Sequence, residues 1–374
     1  MDLFLLIHLI FFNFIFLCFK KIRWKMSQIK SHDISSEYSK TKKTQVGVES
    51  NFYQTTKKTT DNTRKTFSNL YIHKLQKKHF LLMNLIPLFS TLLALALIPF
   101  RPPTTIDLIC LFFFWALTEF CIVAGYHRFF THRSYRCNSS FKMFLHVGGL
   151  MAGQGGLISW VSLHRRHHEC SDQEGDPHSP QYNIKKKSKL NTLRGILHAQ
   201  FFWMKKHDYP NVMFYASELC RDKSITKIDQ YYIHLVVVSI LLPGAITFSF
   251  NQTADSFFFG VLWGGLVRLF FLNTSIGAVN SLLHTFGSRP FNTPDNSRNS
   301  SAFALLTFGD SYHNNHHAFP RSASAGLHKF SIDPAFWIIK ALEKIHVTWD
   351  IYVPNKKRII QYLEDQSNKR ITNT

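Results

Sequence analysis

Four long stretches of this chain carry almost no charge, and polar residues crowd between them. Phe80 to Phe100 (FLLMNLIPLFSTLLALALIPF) has no charged residue over 21 positions. As a helix it would be about 31 Å long, enough to cross a bilayer core of about 30 Å. Thr105–Tyr126 follows directly after Arg-Pro-Pro-Thr. Tyr231–Phe250 and Ser256–Asn280 form a second pair, joined by Asn-Gln-Thr-Ala-Asp. The pattern predicts an all-α membrane protein with four transmembrane helices, at about 80–100, 105–126, 231–250 and 256–280, in two hairpins. Pro87, Pro243, Gly260, Gly264 and Gly265 would weaken helices in water, but membrane helices tolerate them where neighbours re-satisfy the backbone. Glu119, inside the second span, is costly against lipid and should face the protein interior.

The polar positions set the orientation. Lys-Leu-Gln-Lys-Lys-His precedes the first span, His-Arg-Phe-Phe-Thr-His-Arg-Ser-Tyr-Arg follows the second, and further Lys/Arg runs separate the two pairs. The two hairpin loops contribute only Arg101. Positive charge marks the cytoplasmic side, so both termini belong there. The net charge of +21 is then mostly cytoplasmic charge near lipid headgroups and requires no nucleic acid. Six cysteines show no CxxC pairing and read as free thiols. Residues 1–75 form an N-terminal extension. Its apolar Leu3–Phe19 is short and lacks a basic flank or a cleavage site, and Met26 is a candidate alternative start. Ser27–Thr66 is too polar to bury a core and reads as disordered. Residues 355–374 form a polar tail.

The chemistry lies in histidine spacing. Nine of the 20 histidines fall in three clusters plus one outlier: His127 and His132 in HRFFTH; His164, His167 and His168 in HRRHH; His313, His316 and His317 in HNNHH; and His284 alone. Residues three and four apart share a helix face, so each HxxHH set can aim its imidazoles at one point. A five-residue separation turns about 140° on an ideal helix, so His127 and His132 should face different ways, with a helix break between them and a different metal for each. Nine imidazoles exceed the four ligands of a structural zinc site and match two metals of higher coordination number, redox metals in particular. All three clusters fall outside the spans and face the cytoplasm.

HRFFTH directly after the second span, HRRHH followed by SDQEGDPHSP, NSLLH after the fourth span and HNNHHAFPRSA near the end together resemble the membrane-bound fatty acyl desaturases of the stearoyl-CoA desaturase type. The likeness covers about Leu75 to Pro354, with residues 76–354 as the desaturase domain. It implies four spans beneath a cytosolic helical cap carrying a di-iron centre, with His284 as a ligand and Asn280 as a contact through water. It also implies that Phe141–Trp160, apolar but interrupted by five glycines, lies in the membrane interface rather than spanning. The activity implied is an O2-dependent insertion of a cis double bond, delta-9 by family type, into a saturated fatty acyl chain, using two Fe2+ ions.

No flavin, cytochrome or iron–sulfur signature is present. The two electrons would therefore come from a separate donor, a cytochrome b5 or a ferredoxin with its reductase. The acyl carrier is CoA by family type, with a glycerolipid or a carrier protein as alternatives. The membrane would be the endoplasmic reticulum in a eukaryote or the inner membrane in a bacterium. A di-iron hydroxylase on the same scaffold and, more remotely, a metal transporter are the competing readings; a transporter would place its ligands at the bilayer midplane.

Asp172, Glu174 and Asp176 beside the second box either orient ligating imidazoles or form a solvated acidic turn. His146, His178 and His198 lack cluster partners and read as structural. Lys185–Lys189 either meets acyl-carrier phosphates or is a solvated run. Trp115, 12 residues before His127 in the sequence, either closes the acyl pocket or faces lipid.

Overall fold

The computed structural model describes residues 65–181 and 188–371. Leu3–Phe19, Met26, nearly all of Ser27–Thr66 and most of the Lys185–Lys189 run lie outside the described residues. The principal helices are α1 (Leu70–Leu97), α2 (Thr105–Thr131), α3 (Ser139–Met151), α4 (Leu157–Cys170), α5 (Lys189–Gln200), α6 (Tyr232–Asn251), α7 (Ala254–His284), α8 (His313–Ala318), α9 (Pro334–Glu343) and α10 (Lys356–Ile371). Of these, α1, α2, α6 and α7 are long and apolar enough to cross a membrane. The strands described are two-residue pairs: Thr66–Phe67 with Tyr209–Pro210, and Arg136–Cys137 with Thr348–Trp349, both antiparallel.

The helices outrun the apolar runs. α1 begins at Leu70 rather than near 80, because Asn69 caps it by accepting the Ile72 N–H at 2.8 Å. α2 continues past Tyr126 to Thr131, and α7 past Asn280 to His284. Hydropathy marks where a helix meets lipid, whereas hydrogen bonding decides where it ends. α7 packs against α1, α2 and α6, and α1 leans on α7 rather than on α2. Phe141–Trp160 does not span. It forms α3, a turn and the start of α4, with α3 pressed on α2 so closely that a Cβ on Gly149 would stand 2.1 Å from the Tyr126 ring.

Polar side chains on α7 repair the backbone at both internal prolines. A proline in a helix frees the carbonyl four residues earlier. For Pro87 that carbonyl belongs to Met83, and Asn273 donates to it. For Pro243 it belongs to Ser239, and the Arg268 guanidinium donates to it at 3.1 Å. Arg268 is fully buried and spends its remaining donors on the Met151 carbonyl, the Gly264 carbonyl and the Ser239 hydroxyl. Glu119 is likewise buried and accepts from the Ser275 hydroxyl at 2.8 Å, so it faces the bundle interior as its cost in lipid requires.

Candidate metal centre

Four elements converge at one end of the spans. α2 delivers His127 and His132, α4 delivers His164, His167 and His168, the last turn of α7 delivers His284, and α8 delivers His313, His316 and His317. Their nitrogens gather into two groups, His127/His132/His164/His168/His316 and His167/His284/His313/His317, with the donor atoms of each group within 4.8 Å of one another. Each HxxHH box is divided between the groups. Positions four apart stay together (His164 with His168, His313 with His317), while the intervening histidine (His167, His316) goes to the other group.

His127 and His132 share one group, which corrects the expectation that they diverge. From Cys121 to Thr131 the helix is wound in the wide i→i+5 form, and the His132 N–H bonds to the His127 carbonyl at 3.1 Å. In that winding a residue five along returns over its starting face, so no break is needed. Arg165 of the second box secures the end of this wide helix by donating to the Phe130 and Thr131 carbonyls, each at 3.1 Å.

Four carboxylates fix four imidazoles. Asp310 meets His127 Nδ1 at 2.6 Å, Asp172 meets His284 Nδ1 at 2.8 Å, Asp295 meets His317 Nδ1 at 2.8 Å, and Asp176 meets His167 Nδ1 at 3.1 Å. A neutral imidazole that donates from Nδ1 presents a bare lone pair at Nε2. These Nε2 atoms point inward, where neighbours stand 2.9–3.1 Å apart: His127 to His316, His316 to His168, His168 to His164, His164 to His132, His284 to His313, and His313 to His317. A shared cation among these nitrogens would use the lone pair of each ring that presents one. His167 Nε2 is buried with no hydrogen-bond partner.

The spacing also fits a metal. Nitrogens at right angles about an ion at about 2.1 Å lie about 3.0 Å apart, whereas a tetrahedral site would separate them by about 3.4 Å. The residues therefore suit two cations of more than tetrahedral coordination.

Burial works against protonation of most of the clustered imidazoles; His167 is the exception, where burial is outweighed and Asp176 with the other nearby acids raises it. Burial, reinforced by neighbouring imidazoles, pushes His132, His164, His168, His313 and His316 well below the usual histidine range, and takes His317 to about 4 against the pull of Asp295. Burial opposes ionisation of the acids too, yet His284 and hydrogen bonds bring Asp172 down to about 2, and His167 draws Asp176 lower still. Asp310 is held below the carboxylate range because His127 and Arg128 outweigh its burial. For Asp333 burial wins and raises it, even beside Arg128.

The loops that carry these acids are tightly held. Asp172 takes a left-handed conformation (φ 59°), which short polar residues tolerate. The turn it begins is closed by the Asp172 N–H donating to Asp176 at 2.8 Å and by Arg166 donating to the Gly175 carbonyl at 2.9 Å. Asn299 caps α8 from a distant loop, accepting from the N–H groups of Asn314 and Asn315. Those two asparagines in HNNHH anchor the box in turn: Asn314 donates to the Phe291 carbonyl, and Asn315 to the Ala325 carbonyl.

Asp172 and Asp176 thus sit behind ligand-type histidines, while Glu174 is exposed and touches none of them. Asp295 and Asp310, which sequence reasoning missed, stand in the same relation to the site. Asp310, three residues before His313, had proximity as its only signal; Asp295 had none. Asn280 is half-buried one turn before His284, with no side-chain hydrogen bond among the described residues. His178 packs on His167 with ring centroids 4.4 Å apart, His146 pairs with Asp229 at 3.3 Å, and His198 lies on α5. Trp115 packs inward, its ring against Phe271 at 5.3 Å and Phe308 at 5.6 Å. Trp160 stacks on His164 at 5.0 Å and forms an aromatic wall beside the first group.

One substitution probes the carboxylate role. Asp295→Asn should keep the fold but lower metal affinity by about 10–100-fold, the usual cost of losing an outer partner. Metal retained per chain during chelator titration is the measurement.

Among known proteins, residues 102–350 match the family described as fatty acid desaturase. The chain is 42% identical over 295 residues to a hex-5-enoyl acyl-carrier-protein acetylenase of Moorena producens (strain JHB), covering 79% of this chain and 92% of that protein. It is 34% identical over 250 residues to an acyl-CoA C20 Delta5-desaturase of Anemone leveillei, covering 65% and 75%. It is 31% identical over 242 residues to Delta-9 acyl-lipid desaturase 1 of Arabidopsis thaliana, covering 63% and 72%.

Proposed function

This chain belongs to the fatty acid desaturase family and is an integral membrane oxidoreductase of fatty acyl chains, and from that premise we propose that it is an O2-dependent desaturase whose nine clustered histidines hold two iron ions. The observation that carries the reading is the set of inward-facing Nε2 atoms, four of them fixed from behind by Asp172, Asp176, Asp295 and Asp310. Bound iron would supply the one-electron chemistry with O2 that no side-chain acid or base provides. In balance, a –CH2–CH2– pair gives up two hydrogen atoms, that is two protons and two electrons, to become –CH=CH–. Two further electrons and two protons enter from outside, and O2 leaves as two waters.

The chain's own residues hold and shape the site. Asp310 and its three counterparts fix the tautomer of their imidazoles and keep the Nε2 atoms aimed inward. Trp160, stacked on His164, excludes water from one side of the first group. Trp115, with Phe271 and Phe308, is placed to meet the methyl end of the acyl chain. Asn280, one turn before His284, completes the second group through a water. The electron donor is a separate protein, a cytochrome b5 or a ferredoxin with its reductase. The histidine side and both termini are cytoplasmic, following the Lys/Arg asymmetry.

A cis double bond at position 9 of an acyl-CoA is the product we assign. A second reading, conversion of an existing double bond to a triple bond on a carrier-protein substrate, is favoured by the likeness to the Moorena acetylenase along nearly all of that protein's length. Fatty-acid profiling of a host that expresses the chain decides between them. New monounsaturated acids with the bond at carbon 9 are expected. Acetylenic acids would transfer the assignment to the second reading, and hydroxy acids without new unsaturation would overturn desaturation.

A further inference from the structure

Beside the second span the chain makes a short excursion that the four spans do not account for. The turns from Ser301 to Gly309 bring Phe308 against Trp115, with ring centroids 5.6 Å apart. Trp115 stands ten residues after Thr105, the start of α2, or about 15 Å along the helix, well inside a hydrocarbon layer about 30 Å thick. The loop therefore reaches to the depth of lipid tails.

Several of its backbone N–H groups are satisfied within the loop, as hydrocarbon favours. The N–H groups of Ala304, Thr307, Phe308, Gly309 and Asp310 bond to the carbonyls of Ser301, Phe303, Leu305, Ala304 and Thr307 in that order, at 2.9–3.3 Å. Most of the side chains turned outward are apolar: Leu305 is 60% exposed, Leu306 38% and Phe303 36%, with Ser301 exposed at the start of the turns.

α9 continues the same surface. It is tied to the loop where the Ala335 N–H donates to the Phe308 carbonyl at 3.4 Å. Its inner side holds Asp333 on Arg128, Ala335 and Ile339, all buried. Its outer side presents Trp337 and Ile338, half-exposed, with Ile345 just past its end and Lys340 and Lys344 exposed beside them. Exposed aromatic and aliphatic residues flanked by lysines on a short helix are the composition of a segment lying in a membrane interface.

We propose that the Ser301–Gly309 turns and the outer face of α9 are inserted in the bilayer leaflet on the histidine side, as a monotopic element additional to the four spans. Acyl tails cover Leu305, Leu306 and Trp337, and anionic headgroups meet Lys344, while Lys340 is paired with Glu343 beside it. Lipid is the occupant because the loop is anchored, through the buried contact of Phe308 with Trp115, on α2, one of the helices apolar enough to cross a membrane, which itself exposes Phe112 and Phe113.

The test uses the full chain in vesicles of phosphatidylcholine and phosphatidylglycerol. Leu305→Cys and Trp337→Cys are labelled singly with an environment-sensitive fluorophore, Lys357→Cys on α10 serves as the aqueous control, and the unsubstituted chain gives the labelling background. At 305 and 337, emission should shift to the blue and be quenched several-fold more by lipids carrying a nitroxide on the acyl chain than by iodide. The control should show the reverse. Iodide quenching at both sites would overturn the insertion. Protection from both quenchers would also overturn it, showing the face to be covered by protein, either a second copy or the apolar N-terminal segment. Both positions are exposed, so a folding failure at one leaves the other to decide.

Discussion

His316→Ala should abolish formation of the double bond and remove at least one of the two irons proposed for the site. His316 is the hub of the first group: its Nε2 lies 3.0 Å from that of His127 and 2.9 Å from that of His168. Truncating it opens the middle of a chain of imidazoles. The loss should exceed the about 10–100-fold that removing an outer carboxylate costs, so product should fall to the host's background. α8 lies outside the spans, so membrane insertion and detergent-extracted yield should be unchanged. Product analysis and iron content per chain measure the two effects separately. Wild-type unsaturation with two irons retained would refute the ligand assignment.

Arg128→Met should be the most destabilising single substitution beside the site. The guanidinium is 2% exposed and donates to Asp333 at 2.8 Å, Asp310 at 3.1 Å and the Ala323 carbonyl at 2.7 Å. Without it, two buried carboxylates lose their counter-charge, a situation that costs about 3–5 kcal/mol. Thermal unfolding in detergent should fall accordingly. Adding Asp333→Leu should recover part of the loss, because one of the stranded charges goes with it. Arg128→Lys should not rescue, since a single ammonium cannot serve two carboxylates and a carbonyl in the geometry of a planar fork. Additive losses in the double variant would show that the two side chains act independently.

The same network shows how function and stability are joined. Asp333 caps α9 by accepting from the Phe336 N–H at 3.0 Å, holds Arg128, and through it steadies Asp310 behind His127. A change 205 positions from Arg128 in sequence therefore reaches a histidine nitrogen through three contacts.

What the sequence determined by itself was whatever depends on local periodicity and composition. The four apolar runs, the nine histidines and the acids of the Asp172–Asp176 turn follow from residues close together in the chain, where one helix face or one turn brings them near. Even Glu119 could be placed inward, because lipid makes the alternative costly.

Only the tertiary structure decided which histidines share a metal group. His127 and His132 meet because the end of α2 is wound i→i+5, a choice set by Arg165 holding its last carbonyls and by α3 packed on Tyr126. The 3.6-residue period assumed along the sequence cannot anticipate that. Asp295 and Asp310 were illegible for a different reason: each lies in an irregular loop, and its partner imidazole is fixed by how α2, α7 and α8 converge. The prolines make the same point within the bundle. Sequence says that a carbonyl is freed, but only packing shows that Asn273 and Arg268 of α7 receive those of Met83 and Ser239. Periodicity fixes which face a residue occupies, whereas partners far along the chain are fixed by the packing that brings those faces together.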